Sequence, residues 1–571
     1  MLEVFFYSYL TSIFIISSGF FFTSKILNQK HFLELNLLQT GLYGLIFLSF
    51  LALFLNFFFK LDKNINTLLF LFFLIYFFFL NKEIIKKILL ISITIAFICS
   101  LILIYETTYR PDAGLYHLPY TSILNNEKII VGLSNIHFRY GHTSIIQYLS
   151  AINNNWIFGD QGILIPLSAI YSFFLLYLIY EIKKSNNKII IIFNFIIITF
   201  LCLKLNRYSD FGNDAPAHIF YFFLISSLIK YFEKWDKNNI NQFLIVGAYI
   251  VFNKITLFIG GLISIIIIFL KKNINLLNLR IVIFLTLFTF SFFIKNFIVS
   301  GCIIFPIETT CISKAFWYDA NSTRGSNAEI TMIENEAWTK GWSNQKEDRV
   351  SYKEYLSNNN WISLWIETHG KRILIKLAPF IFFLFIFFIL IYNINKKEIK
   401  KVKYSNFSKI KKFLILILIF NLIGILIWFI KFPVFRYGSS YIITLTAIIF
   451  LLICWNKILT INILKLKKTI SYLIIFLLII LFSKNVIRIS KNFNNDYNLS
   501  PWPKIYSDTK NNEKKSLFEI KINNIIGFYY SEDGLCYYNT SPCTHLFNSQ
   551  FKKEEIFVEE KWGYKIFYFL K

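Results

Sequence analysis

LILIYETTYRPDAGLYHLPY, residues 101–120, runs from an apolar stretch straight into two prolines, an aspartate and a histidine. The apolar part closes a segment, 86–105, as long as a bilayer's hydrocarbon core requires, roughly 17 to 25 residues. If 86–105 crosses a membrane, Asp112 lies just beyond the crossing, in a loop rich in groups that exchange protons. Similar apolar segments recur along all 571 residues, and hydrophobic residues make up 56% of the chain. Most of the core is therefore buried in lipid, and the sequence predicts an all-α polytopic membrane protein. The formal charge of +26 does not point to nucleic acid, because the basic residues gather in short loops and form no basic face interleaved with aromatics. They read as topology signals. Abundant Phe, Ile, Lys and Asn fit an AT-rich genome.

Spans are predicted near 4–23, 37–58, 66–80, 86–105, 162–180, 188–204, 216–232, 281–299, 373–394, 412–430, 438–456 and 469–484. The stretch 241–271 is too long for one span and carries Lys254 in its middle. A charge at the bilayer centre costs about 2.5–3.5 kcal/mol on insertion scales, so two short helices meeting at Lys254 are cheaper than one. That makes about fourteen transmembrane helices. Lysines collect in loops 24–36, 81–85, 181–187, 233–240, 272–280, 395–411 and 457–468, which are assigned to the cytoplasm. Loops 106–161, 205–215 and 300–372 and the tail 485–571 then face outward, with amphipathic helices expected in the outer loops. Leu115, Leu118, Tyr120 and Ile123 have helical spacing, and Ile129, Val131 and Leu133 form a second patch; such helices would wall a cavity open to lipid. The first span lacks a basic leader and a small-residue cleavage site, so it is read as retained.

Cys302 and Cys311 share one outer loop and Cys536 and Cys543 the outer tail, each pair close enough for a local disulfide of the kind that persists in oxidising compartments. Four free thiols are the alternative. A four-cysteine zinc site fits less well, because structural sites use tighter spacing.

The first outer loop carries Asp112, Tyr116, His117, His137, Arg139 and His142. Asp112 after Pro111 also suits a helix N-cap. The second loop, NRYSDFGNDAPAHIF (206–220), carries Asp210 and Asp214, and Pro216 marks a helix start. Carboxylates there can cap a helix or ligate a divalent metal through oxygen. Lys254, Lys295 and Arg436 are predicted at the same outer surface. They suit phosphate oxygens, or simple snorkelling at the interface.

Taken in order, DAGLYHLPY, GLSNIHFRYGHTS, SDFGNDAPA, FNKIT, NFIVSGCIIFP, FRYGSSY and LCYYNTSPCTH resemble the GT-C superfamily of integral-membrane glycosyltransferases, in particular uncharacterised bacterial GT-C-like membrane proteins. The likeness covers the chain from about residue 86. It implies a GT-C-like catalytic core at 86–484, preceded by additional helices in 1–85 and followed by a small extracytoplasmic domain at 485–571. It also implies a multi-pass protein of the cytoplasmic (inner) membrane, acting on the periplasmic side. Its partners are then the lipid bilayer, a polyprenyl-phosphate-linked sugar donor and an acceptor glycan, lipid or protein. Asp112 matches the essential aspartate of the first outer loop, and Asp214, with Asp210 as alternate, matches the acidic residue that assists metal or acceptor. The familiar paired acidic motif is missing, since Asp112 is followed by Ala113. The cofactor is therefore open, a divalent metal included.

On this reading Asp112 is the general base that deprotonates the acceptor hydroxyl. Lys254 and Arg436, with Lys295 behind them, stabilise the departing phosphate. Tyr116 and His117 orient base or acceptor, or only pack. One rival is a lipid or glycan transporter or flippase; the sequence shows none of the internal repeats common in transporters. A glycan polymerase or ligase using an undecaprenyl-diphosphate-linked donor is the other. It ranks below the monophosphate reading, because a diphosphate calls for a larger basic cluster than three scattered cations.

Overall fold

The computed structural model describes the chain except residues 28–35, 107–111, 143, 206–210, 233–236, 271–277, 322–323, 325, 346–348, 358, 360, 395–403, 494–499, 507–516, 533 and 570–571. The described residues are mostly helical. In chain order the helices are α1 (Leu2–Phe21), α2 (Leu37–Asn56), α3 (Lys63–Phe78), α4 (Lys82–Leu103), α5 (Leu118–Asn126), α6 (Ile145–Ala151), α7 (Ile165–Lys184), α8 (Lys188–Leu203), α9 (Asp214–Tyr231), α10 (Lys237–Asn253) and α11 (Phe258–Leu270). There follow α12 (Leu279–Ser300), α13 (Ala328–Lys340), α14 (Tyr352–Ser357), α15 (Trp361–Trp365), α16 (Lys371–Asn393), α17 (Tyr404–Lys431), α18 (Phe435–Ile453), α19 (Trp455–Thr460) and α20 (Ile463–Phe493).

Each of the fourteen predicted segments coincides with a helix. Among the described residues, nine helical segments are long and apolar enough to cross a membrane: those containing α1, α2, α4, α7, α12, α16, α17, α18 and α20. The other five, α3, α8, α9, α10 and α11, are shorter or carry more polar residues. Asn and Asp start many of these helices. Asn36, Asp62, Asn81, Asn187 and Asn278 each accept a hydrogen bond from a first-turn N–H, a contribution of about 1 kcal/mol apiece.

The apolar residues sort helices into centre and rim. In α7 and α9 most residues are buried. By contrast α3, α4, α16 and α20 expose Phe72, Ile75, Ile93, Phe97, Phe382, Phe385, Ile475 and Phe476. So wide an apolar surface is stable against lipid, where helices satisfy their own backbone. The N-terminal helices belong to this bundle: α1 packs on α2 and α4. Gly44 lets α1 and α2 touch backbone to backbone, because a Cβ there would strike the Ile15 carbonyl.

After α20 come two small sheets. β1 (Phe518–Ile522) and β2 (Ile525–Tyr530) form an antiparallel hairpin that β3 (Cys543–Thr544) joins in parallel. β4 (Ile556–Lys561) and β5 (Tyr564–Phe569) form a second hairpin. These strands dock on the first long loop. Val131 pairs with Ile566, Ser122 Oγ donates to the Asn539 carbonyl at 2.6 Å, and the Gly114 carbonyl accepts from the N–H groups of Cys536 and Tyr537. This docking changes the expected role of α5. It forms where the periodicity predicts a helix, yet Leu118 through Asn125 are all buried, so it presents no face to lipid. The patch around Val131 is likewise an edge that receives β5, not a helix.

Candidate functional site

The bundle brings helix ends together at one point. Asp112 precedes a π-helical turn, Ala113–His117, and its side chain makes no capping hydrogen bond there. Its carboxylate turns instead to two arginines. Oδ1 accepts from Arg139 Nη1 at 3.1 Å, and Oδ2 from Arg436 Nη1 at 2.6 Å. Arg436, in the first turn of α18, also places Nε 3.9 Å from Asp214 Oδ2. Asp214 opens α9 and pairs through Oδ1 with Lys254, which stands at the break between α10 and the short 3-10 turn Ile255–Leu257. The Lys254 ammonium lies 3.7 Å from the centre of the Tyr437 ring. Four side chains read from distant loops thus form one chain of ion pairs.

Lys295 stands apart. It is buried in α12 against the Phe292 ring, 4.8 Å away, and does not line the cavity beside the cluster. Asp210 falls outside the described residues. Cys302 is bonded to Cys311 and Cys536 to Cys543. Cys99, Cys202 and Cys454 are buried thiols.

Packing fixes the neighbours of Asp112. The Arg139 guanidinium rests 5.1 Å from the Tyr116 ring, which lies tilted against His117, centroids 4.2 Å apart. Gln147 Nε2 donates to His117 Nδ1 at 3.0 Å, while the Gln147 Oε1 accepts from the Ser144 N–H. The amide orientation therefore leaves the His117 proton on Nε2. Burial, aided by Arg436, Arg139 and Lys254 and opposed by Asp112, pushes the His117 pKa down to about 3. The ring is neutral, a donor rather than a base. Asp112 moves for the opposite reason. Burial by itself would raise its pKa, but Arg436 and Arg139 overcome that and hold it at about 2.

A cavity of about 570 Å³ adjoins the cluster and is lined by Asp112, His117, Asp214 and Arg436. Part of its wall is apolar, from Leu167, Phe200, Leu203, Leu205, Phe211, Ile373, Val434 and Phe435. The rest includes His218, which the second outer loop carries, together with residues that the sequence reading did not single out: Lys204 after α8, Arg372 and Lys376 on α16, Lys484 on α20, and His369. Arg139 was visible in the first loop, but nothing in the sequence tied it to Asp112. His218 serves the scaffold. Its Nε2 donates to the Arg436 carbonyl at 2.7 Å and its Nδ1 meets Ser440 Oγ at 3.0 Å, fixing α9 to the start of α18.

The donor set does not fit a divalent metal. Both carboxylates are committed to lysine and arginine partners, and among the described residues no group of three His, Cys, Asp or Glu is placed to hold an ion.

Fold and site together define a multi-pass membrane protein whose charged cluster opens onto an amphipathic cavity. The chain belongs to a family described as a domain of unknown function, DUF8201, whose pattern matches residues 1–443. That range takes in the first three helices and all of Asp112, Asp214, Lys254 and Arg436, and ends before the C-terminal sheets. No curated protein and no solved structure matches the chain.

Proposed function

We propose that the protein is a GT-C-type glycosyltransferase, moving sugar from a polyprenyl-phosphate-linked donor to a cell-envelope acceptor on the extracytoplasmic side of the cytoplasmic membrane. The observation that carries this is the placement of Asp112, joined through Arg436 to Asp214 and Lys254, on a cavity with a basic and an apolar wall. Such a cavity suits a lipid with an anionic head. On this reading the five shorter helices count as crossings too, making fourteen, with α10 and α11 meeting at Lys254 and the cluster, both disulfides and the C-terminal sheets on the outer side.

In the reaction the acceptor hydroxyl attacks the anomeric carbon and Asp112 takes its proton. With a pKa held near 2, Asp112 is a weak base as long as Arg436 covers it. The donor phosphate competes for that same guanidinium. Drawing Arg436 toward the phosphate frees one carboxylate oxygen and raises the basicity of Asp112 only when donor is present. Arg436 and Lys254 then face the charge that develops on the leaving phosphate. His117, with its proton on Nε2, offers a neutral hydrogen bond to donor or acceptor.

The test is sugar transfer by protein in lipid nanodiscs, supplied with polyprenyl-phosphate-linked sugars and envelope extract. Asp112→Asn, verified as folded, is expected to lose at least ~100-fold in rate. Full activity in that variant removes the base assignment, and absence of transfer or donor hydrolysis with every donor tried removes the class.

A further inference from the structure

We propose that His137 and His545 form an acid-released latch, which holds the C-terminal sheets on the first long loop while both rings are neutral and lets go when they take up protons. The inference concerns docking and does not rest on the transferase reading. His137 is buried just ahead of the 3-10 turn Phe138–His142, and His545, half-buried, directly follows β3. Their rings meet across the joint between loop and tail, with centroids 5.0 Å apart and 68° between the planes. The bonds on either side cross the same joint. Thr544 Oγ1 donates to the Ile136 carbonyl at 2.7 Å, and the Tyr140 hydroxyl donates to the Cys543 carbonyl.

The ring nitrogens suit neutral histidines. His137 Nδ1 accepts from the Arg139 N–H at 3.2 Å, so the proton of the neutral ring sits on Nε2, which is buried without a hydrogen-bond partner among the described residues. His545 Nδ1 is buried in the same way. A second proton on His137 must go to Nδ1, and it breaks the bond that holds the Arg139 backbone. The charges around the pair oppose that proton. Arg139, His142 and Tyr140 face it from the loop, and Arg324 lines the same narrow cleft as His137. The carboxylates are already matched: Asp319 and Glu555 each lie 3.6 Å from Arg324, Asp112 is held by Arg139, and Glu334 of α13 acts on Arg139. Burial, with His545, Arg139 and His142, pushes the His137 pKa well down, and burial with Arg139 takes His545 to about 4. Linkage fixes the sign. A histidine whose pKa is lowered by docking binds its proton better undocked, so docking is strongest above the ordinary 6.5 and weakens as pH falls from there toward about 4. From about pH 7.5 to about pH 5, His545 alone multiplies the undocked fraction by about 30, and His137 adds to this. Release loosens the turn that carries Arg139, one of the two guanidiniums on Asp112, so acid on the face bearing the tail reaches the charged cluster.

Hydrogen exchange of the full chain in nanodiscs tests this, each amide's rate being divided by its intrinsic rate at the same pH. The N–H groups of Cys536 and Tyr537, bonded to the Gly114 carbonyl, and that of Arg139 report on the joint, and those of α7 report on the bundle. On going from about pH 7.5 to about pH 5 the native chain is expected to open the joint at least about 30-fold more often, with α7 unchanged. His545→Gln is expected to cut that rise about tenfold or more, and His137→Gln/His545→Gln to hold it within about twofold. Should the double variant misfold, His545→Gln decides alone, since its ring is only half-buried. Equal opening of the native joint at the two pH values overturns the latch, as does a rise that His545→Gln keeps in full. A rise shared by α7 is general acid unfolding and overturns it as well.

Discussion

Replacing Arg436 by glutamine removes the closer of the two guanidiniums on Asp112, at 2.6 Å, and keeps the other, Arg139, at 3.1 Å. The carboxyl is held from 3.8 down to about 2. At ~1.4 kcal/mol for each tenfold change in proton affinity, this is roughly 2–3 kcal/mol in favour of the charged form. The pairing outweighs burial, which acts the other way. Losing one arginine therefore exposes the burial effect, and Asp112 in Arg436→Gln is expected to titrate ~1–3 pH units higher than in the native chain. The sign for stability follows from linkage. A carboxyl with a depressed pKa stabilises the fold above its unfolded pKa of ~3.9, and that contribution disappears as pH falls toward 2. In the variant most of it is absent at every pH. Difference infrared spectroscopy of the carboxyl band, assigned with Asp112→Asn, reads the midpoint directly. A midpoint unmoved in Arg436→Gln, or already at an ordinary carboxylate value in the native protein, would refute the claim that Arg436 controls the charge of Asp112.

Two further perturbations probe the frame around the site. Lys254→Met leaves Asp214 with only the longer contact to Arg436 and is expected to cost ~3–5 kcal/mol, most of it restored by adding Asp214→Asn. Thermal unfolding of the single and double variants in detergent measures this, and a double variant no more stable than Lys254→Met contradicts the pairing. Gly132→Ala tests the docking of the C-terminal sheets, because Gly132 has φ +67 and a Cβ there would run into the Phe567 carbonyl. The expected cost of at least ~1–2 kcal/mol should expose β4 and β5 to limited proteolysis earlier than in the native chain; an unchanged cleavage pattern contradicts it.

The helices were legible because lipid demands long apolar runs, and the break at Lys254 because a buried charge needs a partner or an exit. The type and general position of the cluster were legible too. Asp112 and Arg436 lie 324 residues apart, yet both flank spans that the lysine pattern sends to one side. What the sequence could not tell was which flanking cations meet. Lys204, Arg372, Lys376 and Lys484 each sit near the end of an apolar run, where snorkelling explains a lysine or arginine without any ligand. Lys295 had the same local signature, but α12 turns it against Phe292 and away from the cavity. Composition fixes that a charge lies near a helix end. The angles at which helices pack fix whether that end faces lipid, a neighbouring ring or a shared cavity, and those angles depend on contacts such as Gly44 against Ile15 that belong to no charged motif. The same limit hid α5. Its periodicity gave a helix with an apolar face, but the C-terminal segment that covers it arrives some four hundred residues later, through Ser122 and Asn539. A loop helix is left on a membrane surface only if nothing downstream buries it. In this chain the C-terminal sheets do so, which ties the segment carrying Asp112 to a domain beyond the last span and makes the geometry around Asp112 depend on it.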